Sequence, residues 1–166
     1  GTPAGYSVFE ANGSELKWYY KSVGYDKSHQ MRLYDGEKIS EYKGYIVANI
    51  WNADESWSVE MSENGGDPIK MERFQSYDAA AKLMYSDRSK MDHKWIYPSA
   101  ADHFYRAVPK SNSSVIEVIA KDRFGNTYKQ TLSRSGSLLS GDVFDVLVIG
   151  GGTSGTAAAI QASRNG

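Results

Sequence analysis

Tyr45-Ile46-Val47-Ala48-Asn49-Ile50-Trp51, followed shortly by Trp57-Ser58-Val59-Glu60-Met61, decides the fold class of this chain. Both runs are short, rich in β-branched and aromatic residues, and separated by turn-forming polar residues, which is how strands on a pleated, half-buried surface read. Runs of the same kind recur on either side: Leu16-Lys17-Trp18-Tyr19-Tyr20, Met31-Arg32-Leu33-Tyr34, His103-Phe104-Tyr105-Arg106-Ala107 and Val115-Ile116-Glu117-Val118-Ile119-Ala120. Asn12-Gly13, Asp35-Gly36, Asn64-Gly65-Gly66 and Phe124-Gly125-Asn126 punctuate them with residues that tolerate positive φ. The spacing predicts a mainly β protein, an antiparallel β-sandwich of six or seven strands over residues 1–131. Asp78-Ala79-Ala80-Ala81-Lys82-Leu83-Met84-Tyr85 predicts a short helix, capped by Asp78 and crossing between the sheets. Trp51, and at least two of Trp18, Trp57 and Trp95, are expected to be mostly buried.

Composition bounds the function. The chain has 166 residues with 19 Lys plus Arg against 20 Asp plus Glu, so its net charge of -1 supplies no field for collecting nucleic acid. It has no Cys, which excludes disulfides, thiolate metal sites and cysteine nucleophiles. No apolar run approaches the roughly 20 residues of a membrane-spanning helix. The first residues, Gly1-Thr2-Pro3-Ala4-Gly5-Tyr6, lack the basic start and apolar run of a signal peptide, and an initial Gly reads as a processed or trimmed end. Aromatics make up 13%, as expected of a packed domain.

The texture changes near residue 132. Residues 132–141, ending in Ser-Gly-Ser-Leu-Leu-Ser-Gly, read as a linker. Beyond it, Phe144-Asp145-Val146-Leu147-Val148-Ile149 is an apolar strand, Gly150-x-Gly152-x-x-Gly155 a glycine-rich turn, and Thr156 to Arg164 an Ala-rich helix. This order suits a dinucleotide: the first glycine allows the sharp turn, the second lets backbone approach a pyrophosphate, and the third lets helix lie close on strand. Gly150, Gly152, Thr153, Ser154 and Gly155 are the candidate cofactor-binding residues, with N–H groups at the helix start facing the anion.

Residues 142–166 resemble the opening strand-turn-helix of FAD-dependent oxidoreductases, a truncated piece of a Rossmann-type fold. The resemblance implies FAD for the parent protein. The acidic residue that would hold the ribose belongs about 20 residues past the glycines, beyond Gly166, so no FAD is expected on this chain alone. A strand as apolar as Val146 to Ile149 is expected to seek a partner edge. It would add to the sandwich or self-associate with a second copy through residues 144–164.

A second resemblance covers more of the chain. Gly1 to Tyr6, Leu16 to Tyr34, Ala48-Asn49-Ile50-Trp51-Asn52-Ala53-Asp54-Glu55-Ser56-Trp57, Asp102 to Ala107 and Asp122-Arg123-Phe124-Gly125-Asn126-Thr127-Tyr128 resemble the C-terminal domain of Bacteroides-type calcineurin-like phosphoesterases. That family implies an all-β accessory domain following a metallophosphatase domain, an adjoining catalytic domain as partner, a periplasmic or secreted setting, and no catalytic residue within residues 1–131. A two-metal phosphatase needs several carboxylates and His around two cations. Gly141-Asp142-Val143-Phe144-Asp145 matches one of the family's four catalytic motifs by letter only, the other three being absent. His29, His93 and His103 lack metal-ligand spacing; no metal is expected on them, and His103 reads as a strand residue bonded to a loop carbonyl. Arg106 and Arg123 read as half-buried ion-pair partners bracing loop to strand.

Three functions stay open. They are a non-catalytic accessory domain fused to the start of an FAD domain, a fragment of an FAD-dependent oxidoreductase continuing past residue 166, and a glycan-binding sandwich whose Trp and Tyr residues form a platform.

Overall fold

The computed structural model describes residues 2–112 and 114–134. The strands in chain order are β1 (Gly5–Asn12), β2 (Glu15–Ser22), β3 (Met31–Asp35), β4 (Ile46–Ile50), β5 (Ser58–Glu63), β6 (Ile69–Lys70) and β7 (Glu72–Ser76), then helix α1 (Ala79–Met84), then β8 (Ala101–Ala107), β9 (Ser114–Lys121) and β10 (Thr127–Arg134). They form two four-stranded antiparallel sheets, ordered β10-β9-β5-β6 and β3-β4-β8-β7, and a two-stranded ribbon, β1-β2.

The two larger sheets pack face to face. Alternate residues of β9, namely Ile116, Val118 and Ala120, meet Ile46, Ala48 and Ile50 of β4 in one buried cluster that also takes in Met31, Leu33, Val59, Met61 and Tyr105. Period-two burial on β9 is what one covered face dictates. On β4 all five residues are buried. Its second face is covered too, because Val47 belongs to an outer cluster with Tyr34, Tyr42 and Phe104, against which Phe74, Ala79 and Ala80 pack.

Several expectations are corrected here. Ten strands are present among the described residues, more than the six or seven expected. β1 is almost wholly exposed, β6 has two residues, and β7 and β10 carry mostly polar side chains, so none shows the apolar run that marks a strand. β10 runs through Leu132, Ser133 and Arg134, three residues expected to begin the linker; Leu132 packs on the core and Arg134 is buried. The helix does not cross between sheets: it links β7 to β8, hydrogen-bonded neighbours in one sheet. Asp78 sits at its N-cap position without capping it, since its carboxylate is taken by Tyr34 and Arg32. Trp51 is fully buried, but Trp18 and Trp57 are half-buried and Trp95 is 76% exposed.

Turn chemistry divides the glycines. Gly13, Gly65 and Gly125 adopt positive φ, as does Asn64. Gly36 does not; a Cβ there would collide with the Tyr42 carbonyl oxygen, so glycine serves close backbone approach at that turn.

The helix-forming segment Ala79–Met84 is six residues long, and no described helix is long and apolar enough to cross a membrane.

Candidate functional site

Of the residues that stand out in the sequence, Trp18, Trp51, Trp57 and Arg123 gather at one end of the sandwich. The loop from Trp51 to Trp57, the β9–β10 turn and the β1-β2 ribbon meet there. Trp51 anchors the first loop, its indole N–H donating to the His29 carbonyl at 3.1 Å. Asn52 then takes φ of 57°, a left-handed conformation that Asn accepts more readily than most residues. Asp54 accepts from the Ser56 N–H at 2.9 Å and from the Ser56 hydroxyl, and pairs with Arg123. Burial alone would raise its carboxyl, but the Ser56 groups and Arg123 outweigh burial and hold it below the usual range.

The β9–β10 turn is built by one carboxylate. Asp122 Oδ1 accepts from the N–H groups of Phe124 and Asn126 at 2.9 and 2.8 Å, while Oδ2 accepts from the Asn126 side-chain amide at 2.7 Å. The letters Asp122-Arg123-Phe124-Gly125-Asn126 predict a hairpin turn in which Asp and Asn both cap backbone N–H groups; Asp122 does so, whereas the Asn126 side chain donates to Asp122 instead. Tyr128, whose hydroxyl faces Asp122 Oδ2, is raised to about 12, first by burial and then by that carboxylate.

Aromatic rings fill the space between. Trp18 meets Phe124 edge-on at 4.8 Å, with the Arg123 guanidinium 5.2 Å over its ring. Trp57 lies nearly parallel to Tyr128, centroids 5.8 Å apart. The crevice among Trp18, Trp57, Phe124 and Tyr128 has a volume of about 10 Å³, enough for about one water molecule, so these rings form a packed joint. Trp57 also lines a wider groove of about 490 Å³, together with Glu55, Lys70, Glu72, Arg73 and Tyr105.

A second polar cluster lies on the outer face of the β3-β4-β8-β7 sheet. The Tyr34 hydroxyl donates to Asp78, which also faces Arg32 at 3.5 Å. Burial, then the hydrogen bond to Asp78, pushes Tyr34 up to about 12. Sequence reasoning missed this cluster because its members are separated in the chain, and no local spacing connects Tyr34 to Asp78.

The histidines are not brought together into a metal site. His29 stacks on Tyr25 at 4.2 Å, with burial and Arg32 lowering its pKa. His93 lies beside exposed Trp95. His103 sits in β8 where the ladder slips, with Asp102 and His103 set against the single residue Gln75 of β7. Its Nδ1 is buried with no hydrogen-bond partner among the described residues, so the expected bond to a loop carbonyl is not formed, and burial lowers its pKa. Among the described residues no group of three or more His, Asp or Glu is placed to hold a metal ion.

Both expected arginine pairs exist, in different places than expected. Arg106 bonds Glu72 at 2.9 Å directly across the β8–β7 ladder, its guanidinium 4.8 Å over Tyr45 and over Phe74. It braces strand to strand. Arg123 with Asp54 braces loop to loop. Gly150, Gly152, Thr153, Ser154 and Gly155, and the whole segment 144–164 for which self-association is expected, lie outside the described residues.

The model of the family described as the C terminal of calcineurin-like phosphoesterase matches residues 1–128. No curated protein and no solved structure matches the chain. The match covers β1 to β9 and the first two residues of β10, and on that ground the chain belongs to the family of C-terminal domains of calcineurin-like phosphoesterases.

Proposed function

We propose that residues 1–134 are a non-catalytic accessory domain that serves an adjoining phosphoesterase domain, either packing on it or carrying it to its target. The observation that carries this reading is the family match over residues 1–128. The local chemistry is in keeping with it. At the loop end of the sandwich Asp54 is taken by Ser56 and Arg123, and Asp122 by the backbone of its own turn. These carboxylates are engaged in holding loops in place.

The test is phosphodiester hydrolysis with bis-p-nitrophenyl phosphate and Mn²⁺, measured for the whole encoded protein and for this chain alone. Activity is expected in the whole protein and none above buffer in this chain. Metal-dependent turnover by this chain would overturn the reading.

For residues 142–166 we propose the opening unit of an FAD-binding domain, favoured by the sequence order of an apolar run, Gly150-x-Gly152-x-x-Gly155 and an Ala-rich run. Flavin absorbance in the purified full-length product supports it; a colourless product that takes up no added FAD rejects it.

A further inference from the structure

We infer that the groove beside Trp57 is a binding site for a neutral saccharide. The Trp57 ring is steadied by Tyr128, which lies nearly parallel to it, with 20° between the planes, and is itself buried. The same indole lines the groove of about 490 Å³. That volume falls in the range of roughly 300–1,000 Å³ typical of small-molecule sites. The Tyr105 hydroxyl donates to the Asp54 carbonyl at 3.1 Å and the Trp57 backbone N–H to the same carbonyl at 3.2 Å, so two residues that line the groove share one anchor.

The charges around the groove select the ligand class. Two are acidic, Glu55 and Glu72, and two basic, Lys70 and Arg73, so an anion or a cation gains nothing from the net field. Glu72 is engaged by Arg106 and Arg73 by Asp102. Glu55 and Lys70 have no ion-pair partner among the described residues, which leaves one acceptor and one donor beside an aromatic face. A sugar ring offers the complement: an apolar C–H face for the indole and hydroxyls that both donate and accept.

The test is an NMR titration of the chain with cellotetraose, maltotetraose and mannotetraose, read at the four indole N–H signals. At least one saccharide is expected to shift the Trp57 signal saturably, with Kd of about 0.1–1 mM, and to leave Trp18 and Trp95 unmoved. Glu55→Ala and Lys70→Ala, both at exposed positions, should each weaken binding about 10-fold, the loss of one hydrogen bond to a charged group. Trp57→Ala should abolish it; if that variant fails to fold, the two rim variants decide. No saturable Trp57 shift with any of the three saccharides overturns the proposal. So does a response confined to Trp95, or affinity unchanged in both rim variants.

Discussion

The β1-β2 ribbon and the two-sheet body use the same secondary structure and are held by different forces. In the body, each sheet buries one face in the other, and Ile46, Ile50, Ile116 and Val118 have no exposed surface. The ribbon has a full antiparallel ladder from Gly5–Ser22 to Asn12–Glu15, yet Phe9 remains 64% and Leu16 51% exposed. It is tied to the rest by Trp18 against Phe124 and Arg123, Lys27 over the Tyr19 ring, Gln30 donating to the Tyr20 carbonyl at 2.6 Å, and Asn52 reaching Ser7 at 3.3 Å. A two-stranded ribbon is marginal in water by itself. Hydrogen bonds shape a strand pair, then, while side-chain burial decides whether it belongs to the cooperative core.

The comparison is broken or sharpened by changes of graded size. The largest effect is expected at Arg134, which pairs with Asp35 at 3.2 Å, both side chains almost fully buried. Arg134→Ala strips a buried carboxylate of its cation and should cost about 3–5 kcal/mol in urea unfolding. A loss under about 1 kcal/mol would place the end of β10 with the ribbon rather than the body.

Next comes alkaline pH. Tyr34 and Tyr128 have folded pKa values raised to about 12 from an ordinary 10.0. Their contribution is complete below pH 10 and is lost as pH rises through 12. It amounts to about 2–3 kcal/mol per tyrosine at most. Both belong to the body, so the body should lose stability over this window, with Tyr34 and Tyr128 among the tyrosines that ionise late by ultraviolet absorbance, beside Tyr20, Tyr42 and Tyr105, which burial also raises. Ordinary ionisation of all twelve tyrosines without loss of fold would refute it.

Asp122→Ala leaves two turn N–H groups without their acceptor and should cost about 1–2 kcal/mol, seen as a lower Tm. Trp18→Ala is the sharpest discriminator despite a small global effect. Amide exchange should speed up across β1 and β2 while urea stability falls by about 1 kcal/mol or less. If stability falls as far as in Arg134→Ala, the ribbon is part of the cooperative unit after all. Glu72→Ala removes a half-exposed pair and should change stability by less than about 1 kcal/mol.

How far the fold could be read from residues follows from the same contrast. Where burial is strong, the letters show it. Ile46 to Trp51 and Val115 to Ala120 read as strands because the core demands apolar side chains there. β1, β7 and β10 escaped notice, since a strand with one face in water, or both, needs no apolar run. The joint of Trp18, Arg123 and Asp122 was partly legible, because Asp-Arg-Phe-Gly-Asn is a local turn whose carboxylate bonds its own next residues. The Tyr34–Asp78 contact was not, since 44 residues separate the partners and only the folded sheet brings them together. Asp78 was read as a cap for the same reason: local rules see the helix start, while the tertiary structure offers its carboxylate a buried hydroxyl.

The Arg134–Asp35 pair has a consequence for where this unit can be cut and transplanted. The family match stops at residue 128, inside β10. A graft ending there would keep the recognisable fold and discard six residues of its last strand, among them the guanidinium that also donates to the Ser111 carbonyl. Asp35 would travel without its counter-charge. The portable unit is therefore set by charge closure and extends to Arg134, several residues past the point where family likeness fades.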